Sequence, residues 1–167
     1  MDSDLVALSE TVGSAALARS DQRRLLIATA ESCTGGWVAQ VITHTPGSSA
    51  WFDRGFVTYS NEAKVAMLGV RPETLKKFGA VSPETATEMA VGALKNSNAL
   101  IALSITGIAG PTGGSPGKPV GTVCFAWCRA GETAAAETAV FAGDREEVRR
   151  QAVVYALQGL LIRLGTA

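Results

Sequence analysis

Leu25-Leu26-Ile27-Ala28-Thr29-Ala30-Glu31-Ser32-Cys33-Thr34-Gly35-Gly36-Trp37 is the stretch from which the fold can be read. Residues 25–30 form a short apolar run, the pattern of a strand buried on both faces. Glu31 to Gly36 then supply a polar, glycine-ended turn, and residues 37–42 continue at helical spacing. A buried strand feeding a tight turn and then a helix is the opening half of a βαβ unit.

The chain on either side repeats that alternation. Upstream, residues 4–19 place Leu5, Leu8, Val12 and Ala15/Ala16 on one helical face behind an Asp/Ser cap. Downstream, residues 55–59 are strand formers, and Asn61 reads as the N-cap of a helix through Lys64 to about Leu68. Pro72 suits the first turn of a short helix, and Ser82-Pro83-Glu84 starts another that reaches about Lys95. Residues 99–105 form a second buried-strand run, which leads into a Gly/Pro-rich loop over residues 106–121. Residues 122–129 read as a strand with a turn at Ala130-Gly131. Residues 132–141 are ambiguous, since their alanines favour helix and their hairpin context favours strand; strand is the reading adopted. Asp144 and Glu147 make a capping box for a last helix to about Leu164. The expected fold is α/β, a three-layer α/β/α sandwich around a mixed, partly parallel sheet, with residues 1–167 as a single domain.

Composition narrows the function classes. Hydrophobic residues make up 47% and charged residues 18%, which argues against disorder. Fifteen basic residues balance fifteen acidic ones, so the basic excess of a nucleic-acid binder is missing and any anionic ligand must be captured locally. No apolar run approaches a membrane span, and the acidic start Met1-Asp2-Ser3-Asp4 is unlike a secretory signal. Cys33, Cys124 and Cys128 are too few and too odd in number for a disulfide framework, and Cys124 and Cys128 share one strand face. A cytoplasmic protein with reduced thiols is expected. Trp51 and Phe52, read as exposed, favour a homodimer. One histidine and scattered cysteines give no ligand spacing, so no metal is expected, and the loop at 106–114 lacks the G-K-[ST] of an ATP site. No cofactor is expected.

The chemistry centres on Ser32. A hydroxyl on a strand-to-helix turn is exposed to a substrate, and the free N–H groups of such a turn can hold an oxyanion, a contribution of about 3–4 kcal/mol. A serine or threonine in this place often merely caps the helix, and Ser32 and Thr34 carry that reading too. Cys33 is a rival nucleophile. His44, the single histidine, lies on the polar stretch Thr43-His44-Thr45-Pro46 and reads as a solvated loop residue. With no histidine base, Lys64 is the candidate, and a lysine base must have its pKa lowered from about 10.4 towards 7–8. A first-turn position against the helix dipole disfavours the ammonium by only about 0.3–1 kcal/mol. Burial against Tyr59, Phe56 or Trp51 would have to supply the rest, with the Tyr59 hydroxyl orienting the amine or relaying a proton. Thr106-Gly107-Ile108-Ala109-Gly110-Pro111 could bring backbone amides against a phosphate or carbonyl, or could be a flexible crossover. Gly143-Asp144-Arg145, with Arg149, could clamp a phosphate at a helix start.

Several long motifs in order make the reading more specific. Thr29-Ala30-Glu31-Ser32-Cys33-Thr34-Gly35-Gly36, Gly55-Phe56-Val57-Thr58-Tyr59-Ser60-Asn61-Glu62-Ala63-Lys64 and Gly79-Ala80-Val81-Ser82 closely resemble the CinA C-terminal domain family. Ser104-Ile105-Thr106-Gly107-Ile108-Ala109-Gly110-Pro111 and Lys118-Pro119-Val120-Gly121-Thr122-Val123 extend the likeness over nearly the whole chain. The resemblance implies hydrolysis of nicotinamide mononucleotide to nicotinate mononucleotide and ammonia, within pyridine-nucleotide recycling. It implies a Ser/Lys site, Ser32 with Lys64 assisted by Tyr59, and a small-molecule nucleotide as partner. Thr34, Gly35, Gly36, Thr106, Gly107, Gly110 and Arg145 are the candidates for substrate binding. The family's larger members carry a preceding domain associated with nucleotide-pyrophosphate hydrolysis, and that activity is not carried over. Two other readings stay open: a non-catalytic nucleotide- or partner-binding module, and a serine amidase for another small amide.

Overall fold

The computed structural model describes residues 1–21 and 23–165. Five strands, β1 (Ile27–Glu31), β2 (Phe52–Val57), β3 (Ile101–Gly107), β4 (Thr122–Arg129) and β5 (Ala135–Val140), form one sheet in the order β2-β1-β3-β4-β5. β1 runs parallel to both β2 and β3, while β4 is antiparallel to β3 and to β5. The sheet is thus mixed and partly parallel, as the late hairpin requires, and residues 135–140 adopt the strand alternative.

The helices are α1 (Ser3–Arg19), α2 (Trp37–Ile42), α3 (Asn61–Leu68), α4 (Pro72–Phe78), α5 (Pro83–Lys95) and α6 (Arg145–Arg163). Strand side chains alternate by size between the two faces. Ile27, Ile101, Leu103, Ile105, Phe125 and Trp127 pack against α1, α2 and α6. Ala28, Ala30, Ala102 and Ala126 turn the other way and admit α5 close to the sheet. Cys124 and Cys128 share that small-residue face as free thiols. The arrangement is three-layered.

Local chemistry explains most helix boundaries. Asp2 accepts from the Leu5 N–H and caps α1, and its pairing with Arg150 of α6 holds its carboxyl down at about 2. Asp144 and Glu147 form the reciprocal capping box at α6. Asp144→Ala is expected to cost about 1 kcal/mol and to lower the melting temperature by roughly 2–4 °C in a thermal unfolding scan.

Three sequence expectations are corrected. Ser60, not Asn61, caps α3, because Ser60 is extended and its hydroxyl accepts from the Ala63 N–H. Lys64 is then the fourth helical residue, and its N–H makes the first bond within the helix, to the Ser60 carbonyl. β2 begins at Phe52 and ends at Val57, because parallel pairing with β1 starts at Ile27 and stops at Glu31. Trp51 is only 4% exposed, its ring lying where a side chain on Gly13 of α1 would stand, and Phe52 packs half-buried on the same core. The large apolar residues that do face outward include Val57, Tyr59, Val140 and Ile162. Among the described residues, no helix is long and apolar enough to cross a membrane.

Candidate active site

The carboxyl ends of the three parallel strands meet at one edge of the sheet, where open α/β folds place their sites. Ser32 is the first residue beyond β1 and is held between its neighbours. Its N–H donates to the Ile105 carbonyl of β3 at 2.9 Å, and the Thr58 N–H donates to the Glu31 carbonyl at 2.8 Å. The following turn needs left-handed backbone at Gly35 (φ 60°) and Gly36 (φ 97°), which explains the glycine pair.

α3 returns Lys64 to this edge from beyond β2. Its side chain is almost wholly enclosed, and Nζ donates to Ser32 Oγ at 3.1 Å and to the Thr58 carbonyl at 3.0 Å. Burial pushes the ammonium below its ordinary value of 10.5, with a smaller opposing influence from Cys33. Of the aromatic side chains expected to provide that burial, Trp51 packs against α1, Phe56 packs half-buried in the cluster that includes Leu68 of α3, and Tyr59 is exposed at the cleft that Lys64 lines. Nor does Tyr59 orient the amine. Its hydroxyl accepts from Arg145 Nη2 at 3.0 Å, and the Thr58 carbonyl holds Lys64 instead.

Cys33 is buried beside the serine, and burial, reinforced by the nearby Glu31 charge, pushes its thiol up to about 12. At neutral pH it is therefore a protonated, weak nucleophile. Cys33→Ser is expected to lose less than roughly threefold in turnover, and mass spectrometry should find the native thiol resistant to iodoacetamide. His44 is exposed on the turn after α2.

Two adjoining clefts open on the site. One, of about 210 Å³, is lined by Ser32, Tyr59, Lys64, Thr106, Gly107 and Arg145. The other, of about 510 Å³, is lined by Thr34, Gly35, Gly36, Trp37, Arg145 and Arg149. Arg145 borders both. Gly110 borders neither; its carbonyl accepts from Arg145 Nη1 at 2.7 Å and so fixes the guanidinium. The Thr106 hydroxyl already donates to the Ala80 carbonyl and the Thr34 hydroxyl to Glu31. Each hydroxyl has thus committed its proton, and its oxygen can serve a ligand only as an acceptor. Among the described residues, no group of three or more His, Cys, Asp or Glu side chains could hold a metal ion.

Sequence reasoning missed two parts of this arrangement. The Glu31 carboxylate, fully buried, accepts from the Val38 and Ala39 N–H groups and so occupies amides at the start of α2. An acidic residue closing an apolar strand, three residues before a threonine, was the available signal. The Thr58 carbonyl, as main chain, left none.

Comparison with known proteins follows the same outline. The CinA C-terminal domain family matches residues 9–164. The chain is similar to nicotinamide-nucleotide amidohydrolase PncC of Escherichia coli (strain K12), 60% identical over 159 residues that cover 95% of this chain and 94% of that protein. It is 54% identical to the Pseudomonas putida protein of the same name, over 84% of this chain and 86% of the relative. Among solved structures, the competence/damage inducible protein CihA from Agrobacterium tumefaciens superposes with a TM-score of 0.92 at 44% identity, covering 99% of this chain and 98% of that one.

Proposed function

Because this chain belongs to the CinA C-terminal domain family, we propose that it hydrolyses the carboxamide of nicotinamide mononucleotide to nicotinate mononucleotide and ammonia, and so serves pyridine-nucleotide recycling. The observation that carries this reading is the 3.1 Å contact between Lys64 Nζ and Ser32 Oγ inside a cleft bordered by Arg145. The printed names of the E. coli and P. putida relatives supply the substrate class.

With Lys64 neutral, the contact runs the other way, the Ser32 hydroxyl donating to the amine. Lys64 takes that proton as Oγ attacks the carboxamide carbon, and the carbonyl oxygen becomes an oxyanion beside the turn amides after Ser32. Collapse breaks the C–N bond, and the proton on Lys64 goes to the departing nitrogen, which leaves as ammonia. Lys64 then deprotonates a water that attacks the acyl-enzyme, and Ser32 recovers its proton as the carboxylate product departs. The neutral-protein problem of selecting an anion is met locally, with Arg145 facing the 5′-phosphate from the border of the two clefts.

The test is ammonia release from nicotinamide mononucleotide, from nicotinamide riboside and from free nicotinamide. The reading expects the phosphorylated substrate to have by far the highest kcat/KM. Equal rates on the three would remove the nucleotide from the assignment, and no release from any of them would remove the activity.

A further inference from the structure

The turn that carries the nucleophile is gripped from both sides by charged residues that do not face the reacting bond. We propose that Arg149 and Glu31 are positioning residues, which together fix the peptide groups following Ser32 so that the Cys33 and Thr34 N–H groups stay aimed at the developing oxyanion. The inference rests on the proposed amidase reading for its substrate, but its geometry is independent of it.

From α6, Arg149 Nε donates to the Cys33 carbonyl at 3.0 Å and Nη2 to the Thr34 carbonyl at 3.3 Å. In a trans peptide the C=O and the next N–H point in opposite directions. Holding the Cys33 carbonyl on Arg149 therefore turns the Thr34 N–H away from α6. The Ser32 carbonyl accepts from the Gly35 N–H at 3.0 Å, which by the same rule turns the Cys33 N–H outward from the turn. Among the described residues neither of these two N–H groups donates to a main-chain carbonyl, the Cys33 N–H having only its own Sγ, a weak acceptor, beside it, whereas the amides of Val38 and Ala39 are bound to Glu31.

From the strand side, Glu31 accepts from the Thr34 hydroxyl at 2.6 Å, the Val38 N–H at 2.9 Å and the Ala39 N–H at 3.0 Å. These bonds tie the end of the turn to the residue before the nucleophile. Arg149 is itself steadied by Trp37, whose ring centre lies 5.6 Å from the guanidinium carbon. Bonds to charged groups are the stronger ones, and a site held by them keeps its donors in place without reorganising during reaction.

Arg149 also borders the larger cleft, so the rival reading makes it a ligand for the substrate phosphate. Steady-state kinetics separate the two. Arg149→Met keeps an apolar stem against Trp37 and removes the donors; Glu31→Gln keeps the shape but turns an N–H₂ towards backbone donors. The proposal expects each to lower kcat about 10–100-fold on nicotinamide mononucleotide with KM changed by less than roughly threefold, and Arg149→Lys to recover part of the loss. A raised KM with kcat retained in Arg149→Met would overturn it in favour of substrate binding.

A second readout does not depend on the natural substrate. A fluorophosphonate forms an Oγ–P bond at Ser32 as fluoride leaves and the serine proton passes to Lys64, and the rate is followed by mass spectrometry. Labelling is expected to slow in parallel with kcat in both variants. Unchanged labelling would sink the positioning role. If the wild type labels but releases no ammonia, the substrate reading fails while the labelling rates still decide this proposal. Thermal unfolding checks that the variants fold, and should Glu31→Gln not fold, the half-buried Arg149 decides alone.

Discussion

Ser32→Ala is expected to lower kcat on nicotinamide mononucleotide by about 10⁴-fold or more, since removing the nucleophile from a coupled pair costs nearly all of the covalent route. That corresponds to about 5.5 kcal/mol of activation free energy. Ser32 is 8% exposed, and without its Oγ the Lys64 amine keeps the Thr58 carbonyl as partner, so the variant should fold and still bind substrate. The discriminating measurement pairs turnover with ligand-induced thermal shift. A dead enzyme that keeps its shift places the loss in the chemical step; a variant retaining even a tenth of wild-type kcat would mean another group attacks the carboxamide.

The second large effect belongs to Lys64. Replacement by methionine, close in length and uncharged, removes the base and is expected to cost about 10²–10⁴-fold in kcat. Lys64→Arg should be equally inactive, because a guanidinium does not give up its proton. In the wild type, kcat/KM should rise with pH through the lowered lysine value, since only the neutral amine accepts the serine proton. The same shift acts on stability with a definite sign. The folded lysine loses its proton more readily than the unfolded one, so between the lowered folded value and 10.5 the unfolded chain binds more protons. Stability conferred at this residue therefore increases with pH across that window, as the cost of burying a charge disappears. Melting curves of wild type and Lys64→Met should diverge in favour of the wild type as the pH is raised. A constant difference would mean that Lys64 titrates as an ordinary surface lysine.

Positioning of charge around a buried amine also accounts for which site residues could be read in advance. Ser32 and the glycine pair announced themselves, because a strand-to-helix turn with two consecutive left-handed positions has a recognisable local pattern. The base was found by elimination and by family likeness, and its place near the start of a helix was legible although the cap that sets its exact position was not. Tyr59 was drawn to Lys64 by proximity in sequence, whereas the structure sends its hydroxyl to Arg145, 86 residues away. Thr34 was read as a ligand contact through the amides of the turn, and its hydroxyl is held by Glu31. Each of these outcomes turns on the direction of a side chain once two elements have packed, which no spacing rule encodes.

What the sequence determined by itself was the alternation of elements, the mixed sheet, the caps at Ser82 and Asp144, and the turn that presents Ser32. Those features are set by hydrophobic period, capping chemistry and backbone freedom, all of which act within a few residues. Only the tertiary structure decided that α3 carries Lys64 Nζ to Ser32 Oγ, that Arg149 reaches the carbonyls of Cys33 and Thr34 across 116 and 115 positions, and that Trp51 turns inward onto Gly13. Such contacts arise from the packing of elements distant in sequence, where hydrogen-bond partners and the space left by missing side chains are fixed jointly and by no local pattern.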